Sequence, residues 1–267
     1  MTAPAPQAGL TVTMLGSGTS SGVPVIGCDC AVCRSSDPRN QRLRAGLWLG
    51  FHGPAELQAQ VLVDTPTDLR QQAMRFGVSR VDAVLYTHAH ADHIFGLDDV
   101  RIFNFRQNGP IPCYGSAATL ARLRQTFAYV FEGGQEGGGK PQLELNEVRE
   151  PFSLFGRQVV PIPVLHGSLE VYGYRIGDFA YVTDCNHIPA SSFELLQGVE
   201  VLILDALRYR PHPTHFSIEE ALEASRRIGS RRTIFTHLTH EVDAAAPAMP
   251  LPPGVEFGYD GLTFQVH

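Results

Sequence analysis

The chain has 267 residues, 43% of them hydrophobic, so it can bury a substantial core, and its length allows one large domain or two ordinary ones. The formal net charge is −6, from 21 basic and 27 acidic side chains, which excludes a general attraction to nucleic acid or anionic membranes. No apolar run reaches the length of about 18 residues that a transmembrane helix needs, and residues 1–9 lack the pattern of a signal peptide. We therefore expect a cytoplasmic protein with one domain over residues 1–267.

Apolar runs predict strands along most of the chain. They lie at residues 10–15, 43–51, 60–63, 81–86, 111–114, around 159–160, and at 171–176, 179–183, 201–204, 233–236 and 262–266. Helical spacing predicts helices at 69–76, from 94 to 106 with an irregular end, at 116–129, and at 217–228 behind a capping box. Two successive blocks of strands with helices predict an α/β fold, a four-layer αββα sandwich of two sheets with helices outside.

Two glycine-rich segments are predicted to be loops. Residues 16–22 follow the first strand and lack the Lys-Ser/Thr ending of a phosphate-binding loop, so we expect a turn that lets the backbone approach the site closely. Residues 133–139 are expected to form a mobile surface loop, and the alternative is a flap near the site.

The densest group of metal-binding side chains is His88, His90, Asp92 and His93, directly after the apolar run 81–86. In an extended loop the first two histidines can converge on one cation, while the aspartate and the third histidine address a second. Imidazole and carboxylate suit zinc, manganese or iron, and the lack of cysteine here argues against a purely structural zinc.

Three further polar residues, His166, Asp184 and His237, each follow a later apolar run directly. A lone histidine at such a position is more often an ordinary core or surface residue. Because His88 also follows an apolar strand, we expect one edge of the sheets to collect the candidate ligands.

The pattern His-x-His-x-Asp-His resembles the metallo-β-lactamase superfamily, and the resemblance extends from Leu15 to His237. It implies two divalent ions, zinc or manganese, in the active site. One would be bound by His88, His90 and His166, the other by Asp92, His93 and His237, with Asp184 as the bridging carboxylate. Asp92 and Asp184 are therefore expected to serve catalysis as well as metal binding.

The expected chemistry follows from the charge of two such cations. Ions about 3.5 to 4 Å apart can share a hydroxide of lowered pKa and neutralise an anionic substrate oxygen. A carboxylate that bridges the ions at Asp184 favours phosphoesters over carbonyl substrates. Asp64, at the end of the run 60–63, could begin the helix that follows, or could accept hydrogen bonds beneath the histidine loop and orient the ligands.

A second set of motifs narrows the branch. Residues 15–24, the run Gly27-Cys28-Asp-Cys30-Ala-Val-Cys33, and His237-Leu-Thr-His240 resemble the phosphoribosyl 1,2-cyclic phosphate phosphodiesterases of the carbon-phosphorus lyase pathway. This resemblance implies that Cys28, Cys30, Cys33 and His240 hold one structural zinc; the alternative is three thiols without a metal. Cys113 and Cys185 are interpreted as packing residues.

His215, just before the last predicted helix, matches the histidine that protonates the leaving alkoxide in that family. An imidazole with a pKa near 6.5 suits this task, which is worth about 100- to 10,000-fold in rate. The alternative is a surface histidine flanking the helix. His212 is a weaker candidate for a substrate contact, and His187 is a candidate for lining the pocket.

The predicted function is hydrolysis of small, cyclic phosphodiesters such as phosphoribosyl 1,2-cyclic phosphate. A transfer-RNA 3′-end endonuclease is one alternative, but it needs a basic arm that this acidic chain lacks, so no stable nucleic-acid complex is expected. A pyrroloquinoline quinone biosynthesis protein, another metallo-hydrolase and a non-enzymatic zinc-stabilised binding module are the others. The expected partner is a small anionic phosphodiester, with no membrane, and a homodimer is compatible with the sequence.

Overall fold

The computed structural model describes residues 9–53, 57–132 and 139–266. The chain divides into two compact units, each assembled from separate stretches of sequence. Unit 1 comprises Met1–Leu15, Gly46–Arg149 and Thr263–His267, and unit 2 comprises Gly16–Ala45 and Glu150–Leu262. In the described ranges no helix has both the length and the apolar character to cross a membrane. Most of the predicted glycine loop, residues 133–138, lies outside the described residues.

Over its described residues, unit 1 contains a seven-stranded sheet. Its strands, numbered in chain order, are β1 (Leu10–Gly16), β2 (Gly46–His52), β3 (Leu57–Val63), β4 (Ala83–Leu85), β5 (Ile111–Gly115), β6 (Leu143–Glu147) and β14 (Thr263–Val266). They lie in the order β14-β1-β2-β3-β4-β5-β6, and β3 to β6 are parallel. Parallel strands carry their carboxyl ends to one edge of the sheet, which is where the histidine loop after β4 begins.

The helices of unit 1 pack on this sheet. They are α1 (Leu69–Phe76), α2 (Ala91–Ile94), a 3-10 helix (Leu97–Val100), α3 (Arg101–Gln107), α4 (Ala117–Thr126) and α5 (Ala128–Phe131). Strand residues such as Val84 share one buried cluster with helix residues such as Phe103 and Leu120. The continuous helix predicted from 94 to 106 is wrong, because the chain breaks at Gly96, whose amide donates to the carbonyl of Thr65.

Unit 2 contains, in the part of the chain described, a second seven-stranded sheet. Its strands are β7 (Phe152–Leu154), β8 (Arg157–His166), β9 (Leu169–Ile176), β10 (Phe179–Val182), β11 (Val201–Asp205), β12 (Arg232–Thr236) and β13 (Val255–Phe257), in the order β13-β12-β11-β10-β9-β8-β7. Strands β10 to β13 are parallel. Two helices, α6 (Ala190–Leu196) and α7 (Ile218–Ile228), share a buried cluster with these strands, and a 3-10 helix covers Pro38–Asn40.

Several local predictions can be compared with these elements. The capping box of α7 is confirmed, with the Ser217 hydroxyl accepting from the Glu220 amide and the Glu220 carboxylate accepting from the Ser217 amide. Cys113 and Cys185 are fully buried, which confirms their interpretation as packing residues. Strands β6 and β13 and helix α6 were not predicted, and the predicted helix 116–129 is divided between α4 and α5. Each unit is a sheet covered by helices, so the predicted α/β class is confirmed.

Candidate metal centre

Asp64 organises the histidine loop of unit 1 from below. Its fully buried carboxylate accepts hydrogen bonds from the Thr87 amide and hydroxyl, both at 2.8 Å, and from His93 Nδ1 at 2.7 Å. Burial raises the pKa of Asp64, whereas the interactions with His93 and Thr87 lower it. Helix α1 begins instead after Asp68, so the predicted orienting role of Asp64 is confirmed and its role as a helix start is wrong.

The candidate ligands of unit 1 lie close together. With Nδ1 of His93 directed at Asp64, its Nε2 lies 3.5 Å from Asp92 Oδ2. Two ligand atoms that share a tetrahedral zinc ion are about 3.3 Å apart, so this pair fits one cation. The ring of His88 lies 4.2 Å from that of His93 and 4.6 Å from that of His90, centroid to centroid. His88 and His93 are buried and His90 is exposed.

Unit 2 brings together a second group of candidate ligands at the ends of its strands. His166 is the last residue of β8, and its Nδ1 donates to the carbonyl of Thr214 at 2.7 Å. Asp184 lies two residues beyond β10 and His237 directly after β12. The distance from His237 Nε2 to Asp184 Oδ2 is 3.3 Å, again the separation of two atoms that share one cation.

Three of these residues have a left-handed backbone. The φ angles are 64° at Asp64, 53° at Asp184 and 61° at His237. Non-glycine residues rarely adopt this region, and such strain concentrates at functional sites. In each case the reversal lies at the carboxyl end of a strand, so it turns a functional side chain out of the sheet ladder.

Asp205 is a site residue that sequence reasoning missed. It ends β11 and is fully buried, and its Oδ2 accepts from the amides of Cys185 at 3.2 Å and Phe216 at 3.3 Å and from His215 Nδ1 at 3.1 Å. Its Oδ1 lies 3.7 Å from His237 Nδ1. The available signal was its position, because Asp205 follows the apolar run 201–204 in the same way that the other candidate ligands follow theirs.

His215 lies beside the candidate ligands of unit 2. Its ring stacks on that of His237, with centroids 4.8 Å apart and planes inclined by 15°, and it contacts the His166 ring at 4.5 Å. His212 also contacts His215, at 5.2 Å between centroids, and burial lowers the pKa of His212. The His187 side chain is exposed, and its backbone pairs with Leu165.

The cysteine group of unit 2 has the geometry of a metal site. His240 Nδ1 lies 3.2 Å from Cys28 Sγ and 3.5 Å from Sγ of both Cys30 and Cys33. Sulfur and nitrogen ligands of one tetrahedral zinc ion are about 3.5 Å apart. The Cys33 amide donates to Cys30 Sγ, which is the main reason that the pKa of Cys30 is lowered to about 6. The set therefore fits a zinc ion and favours the thiolate form of a ligand.

Comparison with known proteins agrees with this chemistry. A family model described as the beta-lactamase superfamily domain matches residues 59–238. A crystal structure of a new diphosphatase from the PhnP family superposes with a TM-score of 0.88 at 42% identity, covering 97% of this chain and 98% of that one. A ribonuclease Z from Mycobacterium sp. (strain KMS) is 26% identical over 235 residues, 74% of this chain and 82% of that protein.

A further relative shows that this kind of chain also occurs within a longer protein. An octanoyltransferase of Porphyromonas gingivalis (strain ATCC BAA-308 / W83) is 38% identical over 253 residues, which cover 93% of this chain. The match spans 50% of that protein, so the chain corresponds to about half of its length, and octanoyl transfer is not carried over.

The family model covers more than half of the chain, and the diphosphatase relative covers nearly all of it at 42% identity. Membership of this family implies bound divalent metal ions, which agrees with the histidine and carboxylate donors of both units. The chain therefore belongs to the metallo-β-lactamase superfamily of hydrolases, whose αββα fold matches the predicted fold class, and it resembles the PhnP family within it.

Proposed function

We propose that the protein is a dinuclear metal-dependent phosphodiesterase that hydrolyses small phosphodiesters, with cyclic esters such as phosphoribosyl 1,2-cyclic phosphate as the substrate class. The observation that carries the proposal is that His93 and His166 each direct Nδ1 to an oxygen acceptor, Asp64 and Thr214. An acceptor at Nδ1 fixes the ring and leaves Nε2 as the metal-binding nitrogen, as is common for metal-ligating histidines.

The proposed ligand set joins the two units. One cation is assigned to His88, His90 and His166 and the other to Asp92, His93 and His237, with Asp184 bridging them. Two bound divalent cations would supply a nucleophile by lowering the pKa of water and would neutralise charge on the phosphate. The Nε2–Oδ2 separations of 3.5 Å at His93 and Asp92 and of 3.3 Å at His237 and Asp184 support this assignment.

We assign proton transfer to the leaving group to His215. Its Nδ1 is held by Asp205, so its Nε2 is the atom that can donate. The same carboxylate stabilises the imidazolium form, and an acid of this kind contributes about 100- to 10,000-fold. An alkoxide leaving group needs this proton far more than a nitrophenolate does, which gives the assignment a kinetic signature.

We further propose that Cys28, Cys30, Cys33 and His240 bind a structural zinc. The distances from His240 Nδ1 to the three sulfurs, 3.2 to 3.5 Å, support one tetrahedral ion. The native active-site ion is proposed to be zinc or manganese. A stable nucleic-acid complex is not expected of a chain with a formal charge of −6, and a cytoplasmic location and a homodimer stay predictions.

A second candidate function is hydrolysis of a small diphosphate. It is favoured by the relative at 42% identity that is described as a diphosphatase. Two cations that clamp a phosphoryl group serve a phosphoanhydride and a phosphodiester alike, so the metal centre does not separate the two substrates. The two bonds differ in their leaving groups, because a phosphate leaves without the protonation that an alkoxide requires.

The deciding assay offers bis(p-nitrophenyl) phosphate, a 2′,3′-cyclic nucleotide and a nucleoside diphosphate to protein loaded with zinc, manganese or nickel. We expect turnover of both diesters, and loss of this turnover in Asp184→Asn. Hydrolysis of the diphosphate alone would establish the second candidate instead. No turnover of either diester with any of the metals would overturn the phosphodiesterase proposal.

A further inference from the structure

The loop 206–216 joins β11 to α7 and carries both His212 and His215. Its base is closed by the bond from the Leu207 amide to the Phe216 carbonyl at 2.9 Å. Its tip, around residues 209–214, extends beyond this closure, so the position of the tip depends on contacts with other segments of unit 2.

Glu241 receives two arginines of this loop. Arg210 forms a two-pronged pair with it, from Nε to Oε2 at 3.1 Å and from Nη2 to Oε1 at 2.7 Å, and Arg208 Nη1 lies 3.7 Å from Oε1. Arg208 also donates from Nη2 to the carbonyl of Pro211 at 3.1 Å, directly before His212. One carboxylate therefore holds the loop immediately before its two histidines.

The segment that carries Glu241 is itself held in place. Glu241 follows His240, the candidate zinc ligand, and the Thr239 amide donates to the Leu207 carbonyl at 3.0 Å. From the core side, Arg42, which is 1% exposed, donates to the carbonyls of Thr239 at 3.0 Å and Val242 at 2.8 Å. The contacts run without a break from the cysteine group through residues 239–242 to the loop.

We propose that Glu241 is a positioning residue that holds the 206–216 loop against the zinc-binding segment and so fixes His215 for proton donation. The kinetic consequence rests on the proposed function, whereas the structural consequence does not. A metal ion at the cysteine group would act on the leaving-group step through this contact, although it does not touch the substrate. Pro211 and Pro213 stiffen the tip, so a tether at Arg210 reaches His212 and His215 with little slack.

The first test compares Glu241→Gln and Arg210→Gln with wild type on two substrates. The Arg210 side chain is 71% exposed, so the pair is worth little in stability and the expected loss is about two- to fivefold. The loss should appear in kcat for the 2′,3′-cyclic nucleotide and be absent for bis(p-nitrophenyl) phosphate, whose leaving group needs no acid. Equal losses on both substrates, or no loss on either, would contradict the positioning role.

A matched control is Glu200→Gln, which breaks an exposed pair with Arg231, at 3.3 Å in the same unit, and should leave both rates unchanged. The exchanged pair, Arg210→Glu with Glu241→Arg, separates pairing from composition. Its rate on the cyclic nucleotide should recover at least half of what Glu241→Arg alone loses. No recovery in the exchanged variant would argue against a direct pair.

The second test needs no substrate. Amide hydrogen exchange of residues 207–216 in metal-loaded protein should be about two- to fivefold faster in Glu241→Gln than in wild type or Glu200→Gln. Unchanged exchange overturns the proposal even if the protein hydrolyses no diester. Faster exchange without diester hydrolysis would keep the tether and remove the proposed function, so the two failures are distinguishable.

Discussion

Asp64 and His93 are joined by a 2.7 Å hydrogen bond between two fully buried side chains, and the same carboxylate holds the residue before His88. Asp64 is thus shared by the two ends of the histidine loop. A metal ligand whose ring is held by a buried carboxylate loses little freedom on binding, and the carboxylate makes the imidazole more basic.

Replacing Asp64 should therefore weaken metal binding in unit 1. Asp64→Asn keeps the size of the side chain but removes the charge that orients His93, and such changes cost about 10- to 100-fold in metal affinity. Competition with a chromogenic chelator measures this change. Asp99→Asn, a carboxamide substitution on the 3-10 helix of the same unit, should leave the affinity unchanged. An unaltered affinity in Asp64→Asn would show that the bond to His93 does not support a metal ligand.

Asp205→Asn should impair proton donation by His215. An amide in place of the carboxylate can no longer stabilise the imidazolium, so the acid form of His215 becomes scarce. We expect a loss of about 100-fold or more for the 2′,3′-cyclic nucleotide and less than about threefold for bis(p-nitrophenyl) phosphate. Because Asp205 also lies 3.7 Å from His237, metal content should be measured in parallel. Equal losses at full metal occupancy would remove the carboxylate from this role.

The capping box of α7 should contribute measurably to stability, since the helix begins two residues after His215. Ser217→Ala removes the acceptor for the Glu220 amide, and loss of an N-cap costs about 0.5 to 2 kcal/mol. Urea unfolding measures the change. Ser79→Ala, at an exposed position of unit 1, should stay within about 0.5 kcal/mol of wild type. A cost no larger than that of Ser79→Ala would show that the cap contributes nothing.

Much of each unit could be predicted because hydrophobic runs mark buried strands. The strands around residues 10–15, 201–204 and 233–236 were predicted for this reason, and the candidate ligands at their ends followed from position. The predicted close approach at residues 16–22 also has a counterpart, since a side chain at Gly18 would lie 2.9 Å from Arg42.

What could not be predicted depends on contacts between distant segments. Strand β6 is an edge strand in which no residue is fully buried, so its hydrophobic pattern is weak. The break at Gly96 arises from the approach of the segment around Pro66, which no local pattern records. Asp205 escaped notice because a carboxylate that binds backbone amides and an imidazole has no signature beyond its strand end. The left-handed backbone at Asp184 and His237 likewise has no sequence signal of its own.

Removing one cysteine should separate the zinc site from the catalytic cations. Cys30 accepts from the Cys33 amide and lies 3.5 Å from His240 Nδ1, so Cys30→Ser deletes a ligand without touching the histidine loop of unit 1. Metal analysis of the wild-type protein should find about three ions per chain, and the variant should lose about one and melt at a lower temperature, because structural zinc contributes folding energy directly. Cys113→Ala, which alters a buried thiol of the unit 1 core, should keep all three ions. If Cys30→Ser retained every ion, the cysteines would be packing thiols, and the order of residues 239–242 would have to come from Arg42 alone.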